Sequence, residues 1–120
     1  MSAPNIVNVA TITAKTATAL LTGTSAVNAV NNPASSGKVM KINSLIISNV
    51  DGTNAADVYV DYYDSSTTTA KALAHTISVP ADSAFNPIGG KLVLEAGDQL
   101  RAWAGAASDL EIVVSVLEIT

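Results

Sequence analysis

Nowhere in this chain do apolar residues recur at the i, i+3, i+4, i+7 spacing of an amphipathic helix between good caps; strand-length runs alternate with turn residues from end to end. That pattern confines the chain to β-structure, and short strands at such spacing predict a sandwich or a barrel. The expected strands are Asn5–Thr13, Thr16–Thr22, Ala26–Asn31, Lys38–Asn49, Asp57–Asp64, Lys71–Val79, Lys91–Leu94, Asp98–Ala104 and Leu110–Ile119. Between them stand "NNPASSG", "DGTN", "PADS", "NPIGG" and "AGD", all residues that favour tight turns for known backbone reasons. The Thr/Ala-rich stretch from Thr11 to Val30 reads as strand, because its interleaved Thr and Val are stiff at χ1 and suit a pleated surface.

A length of 120 residues fits one domain spanning residues 1–120, in which residues 1–14 are a candidate extended N-terminal strand or arm. Hydrophobic residues make up 48% of the chain but aromatics only 4%, so the core is expected in thin layers of small and β-branched side chains. The formal charge of −4 is mild and no basic run occurs, which argues against nucleic acid or anionic lipid as partners. With zero cysteines, disulfides, thiolate nucleophiles and Cys-ligated zinc are all excluded. The first residues show neither a basic region nor a continuous apolar stretch of a signal peptide, and no apolar run approaches the roughly 18 residues of a membrane span. A soluble protein is expected.

Side-chain alternation assigns faces. In "DVYVDYYD", Val58, Val60 and Tyr62 share the face expected to meet the core, whereas Asp57, Tyr59, Asp61 and Tyr63 form an acidic and aromatic stripe on the other. In "KLVLEAGDQLRAWAG", Leu92 and Leu94 point inward before a turn made by "EAGD", and Leu100, Ala102 and Ala104 resume the core after it. Gly97 permits the backbone angles of that turn, Asp98 is placed to bond nearby amides, and Glu95 sits at the rim. Arg101 and Trp103 fall together on the outer face. Tyr59, Asp61, Tyr63, Arg101 and Trp103 are therefore the candidate partner interface, since aromatic residues and arginine are enriched where proteins meet.

The last run, "LEIVVSVLEI", is apolar on both faces: Leu110, Ile112, Val114 and Val116 on one, Val113, Leu117 and Ile119 on the other. "LII" at Leu45 to Ile47 is likewise apolar on both sides, so part of a second face requires cover from the chain itself or from another copy. Val113 and Leu117 are candidate subunit contacts. Ile6 and Ile12, alternating with polar positions in "SAPNIVNVATIT", mark the candidate arm, which pairs either within its own sandwich or with a neighbour's sheet edge.

Catalytic chemistry finds little purchase. His75 is the only histidine, and on its strand it is expected to half-bury its ring beside Leu73 and Ile77 rather than serve as a base. Asp51, Asn54, Asp57, Asp61 and Asp64 gather oxygen ligands, but not at calcium-loop spacing, and a turn followed by a strand explains them. Glu95 and Asp98 flank a tight turn instead of a sugar cleft. Neither an enzyme nor a cofactor or metal is expected.

The segments "NPASSGKVMKINSLIISNVDGTNAADVYVDYYDSS", "ISVPADSAF" and "LVLEAGDQLRAWAGAASDLEIVVSVLEI" closely resemble small virion structural proteins of tailed bacteriophages, notably those of cyanobacterial hosts; the likeness covers roughly residues 28 to 120. The resemblance implies an antiparallel β-sandwich of about eight or nine short strands, jelly-roll or immunoglobulin-like, acting without catalysis. It further implies a capsid decoration, or cement, protein on the outer surface of the shell, with the major capsid protein as partner. Homo-oligomers are expected, and the threefold sites of capsid lattices favour a trimer over a dimer. A neck, tail or baseplate component is the alternative within virions, and a carbohydrate-binding β-sandwich module the alternative outside them.

Overall fold

The computed structural model describes residues 9–88, 92–105 and 109–120. Nine strands occur among them: β1 (Ile12–Leu21), β2 (Val27–Asn31), β3 (Val39–Asn49), β4 (Ala56–Asp64), β5 (Thr69–Val79), β6 (Ala84–Phe85), β7 (Leu92–Leu94), β8 (Gln99–Ala104) and β9 (Leu110–Ile119). All pair antiparallel, in two sheets. The first has the order β1-β9-β3-β6 with β7 also on β3, and the second the order β2-β8-β4-β5.

β6 and β7 are two pieces of one interrupted edge strand. Ala84 and Phe85 pair with Ser48 and Ile47, and Leu92 to Leu94 pair with Ile42 to Met40, so the chain runs in one direction along β3. Taken together they make each sheet four strands wide, and the chain alternates between sheets everywhere except in the β4–β5 hairpin. This is the jelly-roll order, which separates it from the immunoglobulin-like arrangement that alternation along single strands cannot distinguish.

The core lies between the sheets and is unequally supplied. Leu21, Ile42, Leu45, Ile47, Leu94, Leu110 and Ile112 project from the first sheet; Val58, Val60, Ala102 and Ala104, with Leu100, face them from the second. Large aliphatics thus pack onto a floor of Val and Ala, which keeps the layer thin and the sheets close. Asn43 is an extra residue in β3, where the register with β9 shifts between Ile42 and Ser44. The bulge explains why Ile42 and Leu45, three apart, both point inward.

Two buried asparagines tie the sheets together at the strand ends. Asn32 donates from Nδ2 to the carbonyls of Lys38 (2.9 Å) and Leu94 (3.0 Å), while its Oδ1 accepts from Ser36. Asn49 donates to the carbonyls of Asn54 and Val79, both at 2.9 Å, and accepts from the Asp51 amide.

The strands differ from the sequence reading in three places. A single continuous β1 replaces the two runs expected at Asn5–Thr13 and Thr16–Thr22, since Lys15 continues the pleat rather than breaking it; residues 1–8, including Ile6, lie outside the described residues. The two-residue β6 has too short a pattern to be legible. On β5, Thr76 adopts a left-handed backbone (φ 59°) within an irregular register, so the expected alternation fails. Ala74 and Val79 are buried, Leu73 and Ile77 are exposed, and His75 is exposed rather than half-buried.

Candidate functional site

The outer face of the second sheet holds all five side chains of the expected interface, and cross-strand register brings them together. Tyr59 pairs with Trp103, Asp61 with Arg101, and Tyr63 with Gln99. The Tyr59 and Trp103 rings stack with centroids 5.3 Å apart and planes 4° from parallel, and His75 meets Tyr59 edge-on at 5.7 Å. Arg101 clamps Asp61 in a fork, Nε to Oδ1 at 2.8 Å and Nη2 to Oδ2 at 2.7 Å, and its guanidinium lies 5.4 Å from the centroid of the Tyr63 ring. The hydrogen bonds to Asp61 shift Arg101 further toward its charged form.

Arg101 and Trp103 share this face, but each finds its partner across the strand: Trp103 stacks on Tyr59, and Arg101 bonds Asp61. The arrangement is self-satisfied. Asp61 is buried although it points outward, because the arginine covers it. A sugar would need an open aromatic face, and the stack consumes one face of Tyr59 and one of Trp103 while His75 abuts Tyr59.

Beneath this face the "EAGD" turn is anchored more strongly than local bonding requires. Asp98 is buried, and its carboxylate accepts from the Ser65 amide (3.0 Å), the Ser65 hydroxyl (3.1 Å), the Glu95 amide (3.0 Å) and the Tyr62 hydroxyl. Burial first, and then the bond to Asp98, push the Tyr62 hydroxyl well above its ordinary range. Gly97 has φ 93°, and a Cβ there would lie 2.6 Å from Ser65 Oγ. The pair Glu95 and Asp98 is thus divided between an exposed rim and a buried structural anchor. The sequence marks Asp98 as a turn residue, whereas its bond to Ser65, 33 positions away, depends on the fold.

The outer face of the first sheet is of the opposite kind. Ile46 pairs with Val113, and Val113 with Thr18 on β1; Leu20 stands in the next row beside Glu111. Leu20, Ile46 and Val113 remain 42%, 43% and 39% exposed. Leu117, between Ala14 and Lys41, is half-buried, and Ile12, at the start of β1, is exposed beside Ile119. Thr18 shares the Val113 row, Ser48 the Glu111 row, and Thr16, Ser115 and Ser44 form the row between Val113 and Leu117, leaving a surface of small and aliphatic groups with Glu111 among them.

At one end of that sheet Glu118 receives Lys38 at 2.9 Å and Lys15 at 3.0 Å. These bonds, Lys38 first, hold its carboxyl below the usual value. Elsewhere the acidic residues act locally: Asp51 accepts from the amides of Thr53 and Asn54, and Asp64 from Ser66. Among the described residues, no group of three or more His or acidic side chains is arranged to hold a metal.

No protein-family model matches the sequence, and no curated protein matches it. Among solved structures, the chain is similar to a subunit of Bacillus endospore appendages, described as a novel family of disulfide-linked pili, with TM-score 0.55 and 17% identity over 100% of this chain and 96% of that one. Two structures of a pentameric capsid protein isolated from metagenomic phage sequences align more loosely, with TM-scores 0.41 and 0.42 and 18% identity, over 95% of this chain and 70% and 62% of theirs. At these identities, what the chain shares with the appendage subunit is its fold.

Proposed function

We propose that this chain is a non-enzymatic virion structural protein, a capsid decoration protein bound to the outside of the shell and bridging neighbouring copies of the major capsid protein. One observation carries the reading: the exposed aliphatic surface of Leu20, Ile46 and Val113, on a sheet whose other face already forms the core. Covering each of these side chains with a partner contributes about 1 kcal/mol from the area they still expose. That is a modest gain per copy, suited to a protein that attaches in many copies by shape and apolar contact.

The likeness of residues 28 to 120 to tailed-phage virion proteins supports this reading. So does a fold shared with a protein of endospore appendages described as pili. The disulfide linkage named for those pili needs cysteine, which this sequence lacks.

Quantitative mass spectrometry of purified particles tests the proposal. A copy number comparable to that of the major capsid protein is expected. A few copies per particle would move the chain to the neck, tail or baseplate, and absence from particles would refute virion membership.

A further inference from the structure

A jelly roll of two sheets has four edges, and three of them here are blunted. β2 is five residues long with a register shift, the β6/β7 edge is interrupted, and β5 carries register shifts and the left-handed Thr76. β1 is different: ten residues in unbroken register with β9, and no strand on its other side among the described residues. Open, regular edges are templates for a further strand.

We infer that β1 pairs antiparallel with β1 of a second copy, joining two four-stranded sheets across a twofold axis centred on Thr16. The direction of the backbone groups follows from the end of the ladder. Thr11 and Thr120 bond each other in both directions (Thr120 N to Thr11 O 2.9 Å, Thr11 N to Thr120 O 3.4 Å), so odd-numbered residues of β1 face β9. Ile12, Ala14, Thr16, Thr18 and Leu20 therefore turn their amides and carbonyls to the open edge.

Pairing of two identical edges matches even positions with even positions, which leaves twofolds at Thr16 or Ala17 near the strand's middle. The Thr16 register sets Ile12 against Leu20 of the partner copy, twice. These are the two exposed aliphatics of the strand, 59% and 42% open, and the register sets them side by side on one face. Centring on Ala17 would instead place Leu20 against Ala14 and Ile12 against Thr22.

Lys15, the residue type that usually guards an edge, is here held by Glu118 at 3.0 Å and meets Ala17 of the other copy, not its own counterpart. The joined sheet also continues the Leu20, Val113 and Ile46 surface across the axis. This pairing makes the unit a twofold dimer in place of the trimer expected from lattice geometry. It belongs to the isolated chain, and its failure would leave the capsid proposal standing.

Because the chain has no cysteine, one introduced thiol reports the register directly. Thr16→Cys, which faces itself across the axis, is expected to form a disulfide dimer at least ten times faster than Thr18→Cys, which faces Ala14. Sedimentation of the wild type is expected to give twice the 12.2 kDa chain mass. Thr16→Pro removes only an edge-facing amide and is expected to give a folded monomer, while Ala17→Pro removes an amide bonded to β9 and should unfold the strand. A monomeric wild type, whether the edge stays open or residues 1–8 cover it, overturns the inference. So does equal crosslinking at the two positions.

Discussion

The two outer faces of this sandwich are built from the same pleat and solve the same problem differently. On the second sheet the large outward groups of β4 and β8 pair with one another: Tyr59 and Trp103 stack, Arg101 clamps Asp61, and Tyr63 underlies the guanidinium, while Leu73 and Ile77 of the edge strand β5 stay exposed. On the first sheet Leu20 stands beside Glu111, Ile46 and Val113 meet each other and Thr18, and all three remain open. On the proposed reading, residue type alone misleads about which face engages a partner. Aromatic and charged side chains that complete one another carry little drive to associate, whereas a flat aliphatic surface carries drive and no means of satisfying itself.

The contrast is broken most sharply by charge. Ile46→Asp with Val113→Asp should cost about 2 kcal/mol of folding stability, since both side chains point outward but stand directly opposite each other. The same pair should weaken attachment to capsids by about 100-fold, measured by co-sedimentation with shells lacking the protein. Asp98→Ala tests the anchor under the other face: with the Ser65 and Glu95 amides and the Tyr62 hydroxyl left without their acceptor, unfolding by urea should show a loss of about 3 kcal/mol.

Arg101→Ala strands the covered carboxylate of Asp61 and should cost about 2 kcal/mol without altering attachment. Trp103→Ala should lower stability by about 1.5 kcal/mol through loss of the Tyr59 stack. The smallest effect is titration of Glu118. Because its folded carboxyl lies below the ordinary 4.5, its contribution is complete above that pH and is lost as pH falls through the lower folded value. Thermal melts should show that Glu118→Gln flattens the loss of stability on acidification below 4.5, by about 1 °C for so exposed a pair of lysines.

Much of this was legible in the chain. Alternation placed Val58, Val60, Leu100, Ala102 and Ala104 in the core and Tyr59, Asp61, Tyr63, Arg101 and Trp103 on one outer face. The doubly apolar "LEIVVSVLEI" called for cover on a second face, and among the described residues Val113 is left 39% exposed. What alternation cannot carry is a break in its own period: Asn43 and Thr76 each shift the parity of a strand, and the second of these left His75 in the open. Nor can it pair distant residues. That Arg101 belongs to Asp61 and Asp98 to Ser65 follows only once β8 lies beside β4.

One comparison of attachment tests the central claim, that the aliphatic face of the first sheet and not the aromatic face of the second engages the partner. Shells lacking the protein are incubated with Ile46→Asp/Val113→Asp or with Trp103→Ala, both folded by circular dichroism, and the bound fraction is measured after sedimentation. The aspartate variant is expected to stay in the supernatant while the tryptophan variant pellets as wild type does. Pelleting of the aspartate variant together with loss of the tryptophan variant would contradict it.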